Sequence, residues 1–326
     1  MNTRRQILAA LSQSMLSAAL PSLAQQPAKV AKIGFLASFS SGQLASRLPA
    51  FQQGLRALGY VEGKNIFIAY RYADGKLERL PDLAAELVSL DVDILFVQGS
   101  PAALAAKNAT KIIPIVIGNA SDPVGIGLIA SLARPGGNIT GMSDFNVEVV
   151  TKRFELLKEV VPSASRIAVL SNPANSTNPI QLQQIRTVAS ALGVTLLSLE
   201  ARTPDDIDHA FAVIKPAKAL LVFGDPMLGT HQRQIIELAA RGRLPAIYAD
   251  EQAVDAGGLM SYAVNFGDLY RRAAVYIDKI LKGAKPGDLP VEQPTTFQLA
   301  INMKTAKALG IKFPQSILLR ADKVIE

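Results

Sequence analysis

The chain of 326 residues has no cysteine, no tryptophan and only two histidines, His209 and His231. The missing thiols exclude disulfides, thiolate catalysis, thiolate-bound metals and lipid attachment through cysteine. For a metal centre that leaves little beyond carboxylates, and the acidic residues are not spaced as a calcium loop. A nucleophilic serine needs a histidine base held by an acid. Both histidines instead lie in or just before helical segments beside Asp208, Gln232 and Arg233, which reads as solvated helix surface. No GxSxG elbow and no GxxxxGK[ST] phosphate loop occurs, and Gly125-Ile126-Gly127 lacks the third glycine of a dinucleotide fingerprint. No cofactor and no catalytic residue is expected.

Charge of one sign is also scarce. The formal net charge is +7, and removing Arg4 and Arg5 leaves 32 basic against 27 acidic residues, or +5. The basic residues are scattered (Lys29, Lys32, Arg56, Lys107, Lys111, Arg166) and not interleaved with aromatics, so nucleic acid is not an expected partner. With 49% hydrophobic and 19% charged residues, the chain is long enough for two packed domains. Met1–Ala24 reads as a cleaved export signal: Arg4-Arg5, an apolar stretch over Ile7–Leu20, and the small-x-small site Ser22-Leu23-Ala24. Ser12, Gln13, Ser14 and Ser17 interrupt that stretch, which falls short of the ~20 residues that span a bilayer. Thr3-Arg4-Arg5-Gln6-Ile7-Leu8 also approximates a twin-arginine signal, so both the general and the twin-arginine routes stay open. An exported chain with no lipid anchor is expected in a periplasm.

What is present is an alternation of buried strands and helices. Ile94–Val97 and Ile113–Ile117 are short, continuous apolar runs, the mark of parallel strands covered on both faces. The first series reads as strand Lys32–Leu36, helix Leu44–Leu58, strand Ile66–Tyr72 near a sheet edge, helix Leu80–Leu90, then Ile94–Val97, a helix over Ala102–Asn108, Ile113–Ile117 and a short helix over Gly127–Leu132. After Gly141 a second series runs to the end, with strands at Arg166–Leu170, Thr195–Leu199, Ala219–Phe223, Ala246–Tyr248 and Leu259–Tyr262. Its helices are placed at Val147–Val160, Ile180–Leu192, Asp205–Ile214, Gln232–Arg241 and Leu269–Lys282. Two such series imply two α/β lobes.

In open parallel sheets ligands sit beyond the carboxyl ends of the strands. The short polar residues there are therefore the candidate binding set. In the first series they are Ser38, Phe39, Ser40, Gly99, Ser100, Asn119, Ser121 and Asp122; in the second, Asn175, Ser176, Asp225 and Asp250. Singly each reads equally as a helix cap or turn residue, Asp122 before Pro123 above all. Together they ring one cleft. An α-amino acid suits it, with Ser100 and Ser176/Thr177 donating to the carboxylate and Asp225 or Asp250, assisted by Asn119, accepting from the ammonium. Tyr248 or Phe39 could face an apolar side chain. With no tryptophan and few aromatics in these loops, a branched aliphatic amino acid, a small aromatic acid or another small metabolite fits as well.

The run Asp122-Pro123-Val124-Gly125, Gly127-Leu128-Ile129 and Ser131-Leu132-Ala133-Arg134-Pro135-Gly136-Gly137-Asn138-Ile139-Thr140-Gly141 resembles the signature of substrate-binding proteins of ATP-driven importers whose relatives take up tryptophan, tyrosine or phenylalanine. The likeness continues through Asn302–Gly310 and Leu318–Asp322. It implies a type I periplasmic-binding fold: α/β, two doubly wound Rossmann-like lobes joined by a three-segment hinge, with crossings near Thr140–Ser143, Ala263–Phe266 and Pro290–Gln293. Residues 29–141 plus 264–290 are then one lobe and 142–263 plus 291–326 the other. The implied partners are a small-molecule ligand, a membrane permease and its ATPase subunit, with the chain itself a monomer. A sensory ligand-binding module, or an enzyme on the same frame, is the alternative. Cell fractionation and mass measurement are expected to find the chain in the periplasm without Met1–Ala24, and a cytoplasmic chain with an intact N-terminus contradicts the export reading.

Overall fold

A computed structural model describes residues 30–144 and 146–326. The expected export signal lies outside the described residues. The first sheet contains β1 (Ala31–Ala37), β2 (Ile66–Tyr72), β3 (Ile94–Gln98), β4 (Ile115–Asn119) and β5 (Ile139–Gly141) in the order β2-β1-β3-β4-β5, all parallel. β3 and β4 are buried along their whole length, as continuous apolar runs require. β2 is one of the two edge strands, and its alternation leaves Phe67 exposed.

Two helices, α1 (Leu48–Ala57) and α10 (Phe266–Leu281), cover one face of this sheet around Phe35, Phe51, Phe96 and Tyr270. Phe51 stacks on Phe96 at 4.2 Å between centroids. The other face is covered by α2 (Leu80–Ser89) and α3 (Ser100–Ala109). The first helix begins at Leu48 and not at Leu44, because Leu44–Arg47 forms tight turns ahead of Pro49 in the opening turn of α1. No helix forms over Gly127–Leu132. Leu128 and Ile129 both donate to the Pro123 carbonyl, and Gly127 sits at φ +68°, which breaks a right-handed helix.

The second sheet has the order β12-β11-β10-β9-β8-β6-β7. Its strands are β6 (Arg166–Ser171), β7 (Thr195–Glu200), β8 (Ala219–Val222), β9 (Ala246–Tyr248), β10 (Met260–Val264), β11 (Phe297–Asn302) and β12 (Lys323–Ile325). Every pairing is parallel except β10 with β11. α4 (Asn146–Val160), α5 (Thr177–Ala191), α11 (Met303–Leu309) and α12 (Gln315–Leu318) pack on one face through Phe154, Leu157, Ile185 and Ile317. The opposite face carries α6 (Pro204–Val213), α7 (Pro226–Thr230), α8 (Gln232–Arg241) and α9 (Gln252–Asp255). Thr203 starts α6 with a capping box, its hydroxyl accepting from the Asp206 amide while the Asp206 side chain accepts from the Thr203 amide.

The chain passes from the first sheet to the second after β5, returns after β10 so that α10 joins the first core, and re-enters the second sheet at β11. Two of these crossings run side by side. Ser143 donates to the Glu292 carbonyl at 2.8 Å and Glu292 to the Gly141 carbonyl at 2.9 Å. Gly141, at φ +127°, lies so close to β4 that a Cβ there would fall 2.3 Å from the Ile117 carbonyl oxygen. Gly141→Ala is therefore expected to destabilise the protein by at least the ~1–3 kcal/mol of a disallowed backbone conformation, read from urea unfolding.

Candidate functional site

The carboxyl ends of both sheets face each other across a cleft of about 100 Å³. Of the residues expected there, Phe39, Gly99, Ser100, Asn119 and Ser121 from the first lobe and Asn175, Asp225 and Asp250 from the second line it. Four others stand back. The Ser38 hydroxyl accepts from the Ala102 amide inside α3, and Ser40 bonds with Gln43. Asp122 accepts from the Gly125 amide, the cap role of the two considered. Ser176 precedes α5 and is exposed.

The hydroxyls are mostly committed. Thr177 donates to the Asn175 side chain, Ser121 donates to Asp144 at 2.9 Å, and the Ser100 hydroxyl accepts from the Ser121 amide. Asn119 donates to Asp144 at 3.3 Å, while its own Oδ1, buried on the cleft wall, has no partner among the described residues. An orphaned acceptor in that position is costly unless something arrives to donate to it.

Among the described residues, five charged side chains share the wall: Arg47, Arg153, Asp144, Asp225 and Asp250. No local pattern marks either arginine, since each reaches the cleft from outside the strand-end loops, Arg47 from the turn before α1 and Arg153 from mid-helix in α4. Arg47 is 6% exposed and is ion-paired with Asp250 of the opposite lobe. Its guanidinium lies 3.8 Å from the centroid of the Phe266 ring and 5.5 Å from that of Phe39. Burial pulls its pKa down, against the favourable fields of Tyr270, Asp144 and Glu251. Arg153 donates to the Tyr262 carbonyl at 2.6 Å, and burial draws it down to about 10 although Asp144 and Tyr262 oppose this.

Further contacts cross the cleft. Thr230 donates to the Gln43 side chain at 2.9 Å, and Gln252 donates to the Ser46 hydroxyl at 2.7 Å and to the Gln43 carbonyl at 3.2 Å. Gly229 leaves room for Gln43: a Cβ there would sit 2.2 Å from Nε2.

Asp225 differs from the other two carboxylates. It accepts from the Leu228 amide at 3.0 Å, from Asn172 at 3.2 Å and from Asn175 at 3.1 Å, all neutral donors. Among the described residues it has no cationic partner, and burial raises its pKa above the ordinary 3.8 despite those bonds.

Two α/β lobes built on mainly parallel sheets, with three chain crossings between them, have the fold of the type I periplasmic-binding class. Residues 32–325 match the family model for ABC transporter substrate binding protein, and the chain belongs to that family. It is 29% identical over 263 residues to the tyrosine-binding protein of Clostridioides difficile, covering 80% of this chain and 76% of that one. An ABC domain from Streptococcus pneumonia in complex with L-Trp superposes with a TM-score of 0.85 at 29% identity, covering 90% of this chain and 99% of that one. The ligand-free, open structure of a substrate-binding protein with adhesive properties from Clostridium difficile, also 29% identical, covers 91% and 99% but reaches only 0.67. At equal identity the two neighbours superpose on this chain to different extents. Capture of a solute for an ATP-driven transporter is the function of this family.

The raised pKa of Asp225 fixes the sign of one pH effect. Below 3.8 both the folded and unfolded chains hold the proton; above it the unfolded chain ionises first, so the contribution of Asp225 to stability falls as pH rises through its folded pKa. In denaturation of the empty protein at graded pH, Asp225→Asn is expected to remove that acid-side decline.

Proposed function

We propose that the cleft takes an α-amino acid as a zwitterion and that the loaded protein delivers it to a membrane permease driven by an ATPase subunit, without covalent chemistry. The observation that carries the reading is Asp225: a carboxylate on the cleft wall whose protein partners are all neutral. A ligand ammonium supplies the missing positive charge, and the orphaned Oδ1 of Asn119 offers a second acceptor. Asp250 is the weaker choice, because Arg47 already neutralises it. The ligand carboxylate is assigned to the planar fork of Arg47, since the hydroxyls of Ser100 and Thr177 are engaged within the wall. The named relatives, one called tyrosine-binding and one bound to L-Trp, support the ligand class. Neither histidine lines the cleft, which favours binding over proton-transfer chemistry.

The mature protein is expected to melt at a higher temperature in the presence of its amino acid, by the free energy of binding to the folded form alone, ~2.7 kcal/mol at a hundred times Kd. Asp225→Asn keeps the helix cap and the packing but removes the charge. It is expected to weaken amino-acid binding by about 2 kcal/mol or more in titration calorimetry. A panel of amino acids with no thermal shift at millimolar concentration contradicts the ligand class, and an unchanged affinity in Asp225→Asn contradicts the ammonium assignment.

A further inference from the structure

The first lobe meets α7 of the second at a turn outside the candidate binding set. Ala73-Asp74-Gly75-Lys76 follows β2, with Asp74 at φ +54°, Gly75 at φ +77° and the Lys76 amide donating to the Ala73 carbonyl at 3.0 Å. Two successive left-handed residues are the mark of a type I′ turn, for which Asp-Gly is a favoured pair. The turn is braced from its own lobe: the Gly75 amide donates to the Ser38 carbonyl at 2.9 Å, the Ala73 amide to the Ala37 carbonyl at 2.9 Å, and Arg79 pairs with Asp74 at 3.2 Å. Gly75 is buried, and the atoms nearest its open side belong to the opposite lobe. An added Cβ would lie 2.9 Å from Met227 Cα, 3.0 Å from Thr230 Oγ1 and 3.1 Å from the Pro226 carbonyl oxygen.

Carbon atoms rest against each other at about 3.5–4.0 Å, so a Cβ at residue 75 does not fit while the lobes hold this arrangement. Two of its three neighbours are main-chain atoms, and α7 is itself fixed: Asp225 accepts from the Leu228 amide at 3.0 Å, and the Gly229 amide donates to the Asp225 carbonyl at 2.9 Å. Gly229, on the same helix, is a softer contact, since its Cβ would meet the tip of the Gln43 side chain, which can swing aside. We propose that Gly75 is a positioning residue for solute capture, the seat on which the first lobe comes to rest against α7. The seat matters because of what α7 carries. Its N-cap is Asp225, the cleft carboxylate with neutral partners, and Thr230 at its other end donates to Gln43. A lobe held off α7 leaves Asp225 short of the wall that Ser100 and Asn119 form. The steric claim is independent of which solute enters; its bearing on Asp225 rests on the amino-acid reading.

The test exploits the missing cysteines. Ser46→Cys with Gln252→Cys replaces a contact of 2.7 Å between the lobes by two thiols, and the rate of disulfide formation under mild oxidation reads how often the lobes meet. This probe needs no solute. Gly75→Ala, Gly75→Asn and Gly59→Ala are each added to that pair; asparagine tolerates left-handed backbone and guards against a variant that fails to fold. Gly59, at φ +89°, has no atom within 4 Å of an added Cβ. The strain of a side chain in left-handed backbone is the same with the lobes together or apart, so Gly59→Ala lowers stability and leaves the rate unchanged. Both substitutions at residue 75 are expected to slow crosslinking by about tenfold or more, the effect of overpacking a fitted contact. L-tyrosine, L-tryptophan and L-valine are then titrated against chains without the added thiols, and those that bind are expected to lose affinity to a similar degree in Gly75→Ala and not in Gly59→Ala. A thiol pair that never crosslinks in the otherwise unsubstituted chain, a rate unchanged in a folded Gly75 variant, an equal loss in Gly59→Ala, or slowed crosslinking with undiminished amino-acid affinity overturns the proposal. If none of the three amino acids binds the unsubstituted protein, that result counts against the amino-acid reading alone, and the crosslinking rates decide here.

Discussion

A guanidinium withdrawn from water must be neutralised where it lies, and the ion-pair partner of Arg47 belongs to the opposite lobe. That one constraint ties the arrangement of the protein to its site. With the lobes apart, Arg47 would rest among Phe39 and Phe266 without Asp250; with the lobes together, Gln43, Ser46, Thr230 and Gln252 close a rim of hydrogen bonds around the same point. The cleft lies inside this rim of contacts that the protein makes with itself.

Much of the frame could be read from residue order. Ile66–Tyr72, Gln232–Arg241 and Ala246–Tyr248 form the elements expected over those same residues, because each is bounded by strong signals: alternation, amphipathic spacing, or a β-branched run before a charged turn. The failures have local causes. Ile139–Gly141 is a strand of three residues whose pairing with β4 depends on the neighbouring backbone and not on any pattern of its own. The stretch over Gly127–Leu132 carries helical spacing, yet Gly127 in a left-handed conformation turns it into a loop. Lys323–Ile325 is too short to stand out from a tail.

The site was legible in outline, since strand ends and short polar residues locate a cleft in this architecture. Its charged members were less so. Asp144 lies in a crossing segment and Arg47 in a turn, while Arg153 projects from the middle of a helix that otherwise reads as amphipathic. No periodicity marks a long side chain that crosses to another lobe. Conversely, Ser38 and Asp122 carry the residue types of a binding loop but satisfy backbone amides, which is why a cap and a ligand contact look alike before folding.

The double return of the chain, out after β5, back after β10 and out again to β11, has a consequence for how the protein can be divided. Neither half is a continuous stretch of polypeptide, so neither can be cut away by shortening the chain from one end. A protease that severs any single connection leaves the halves tethered by the other two, and the guest space survives the wound.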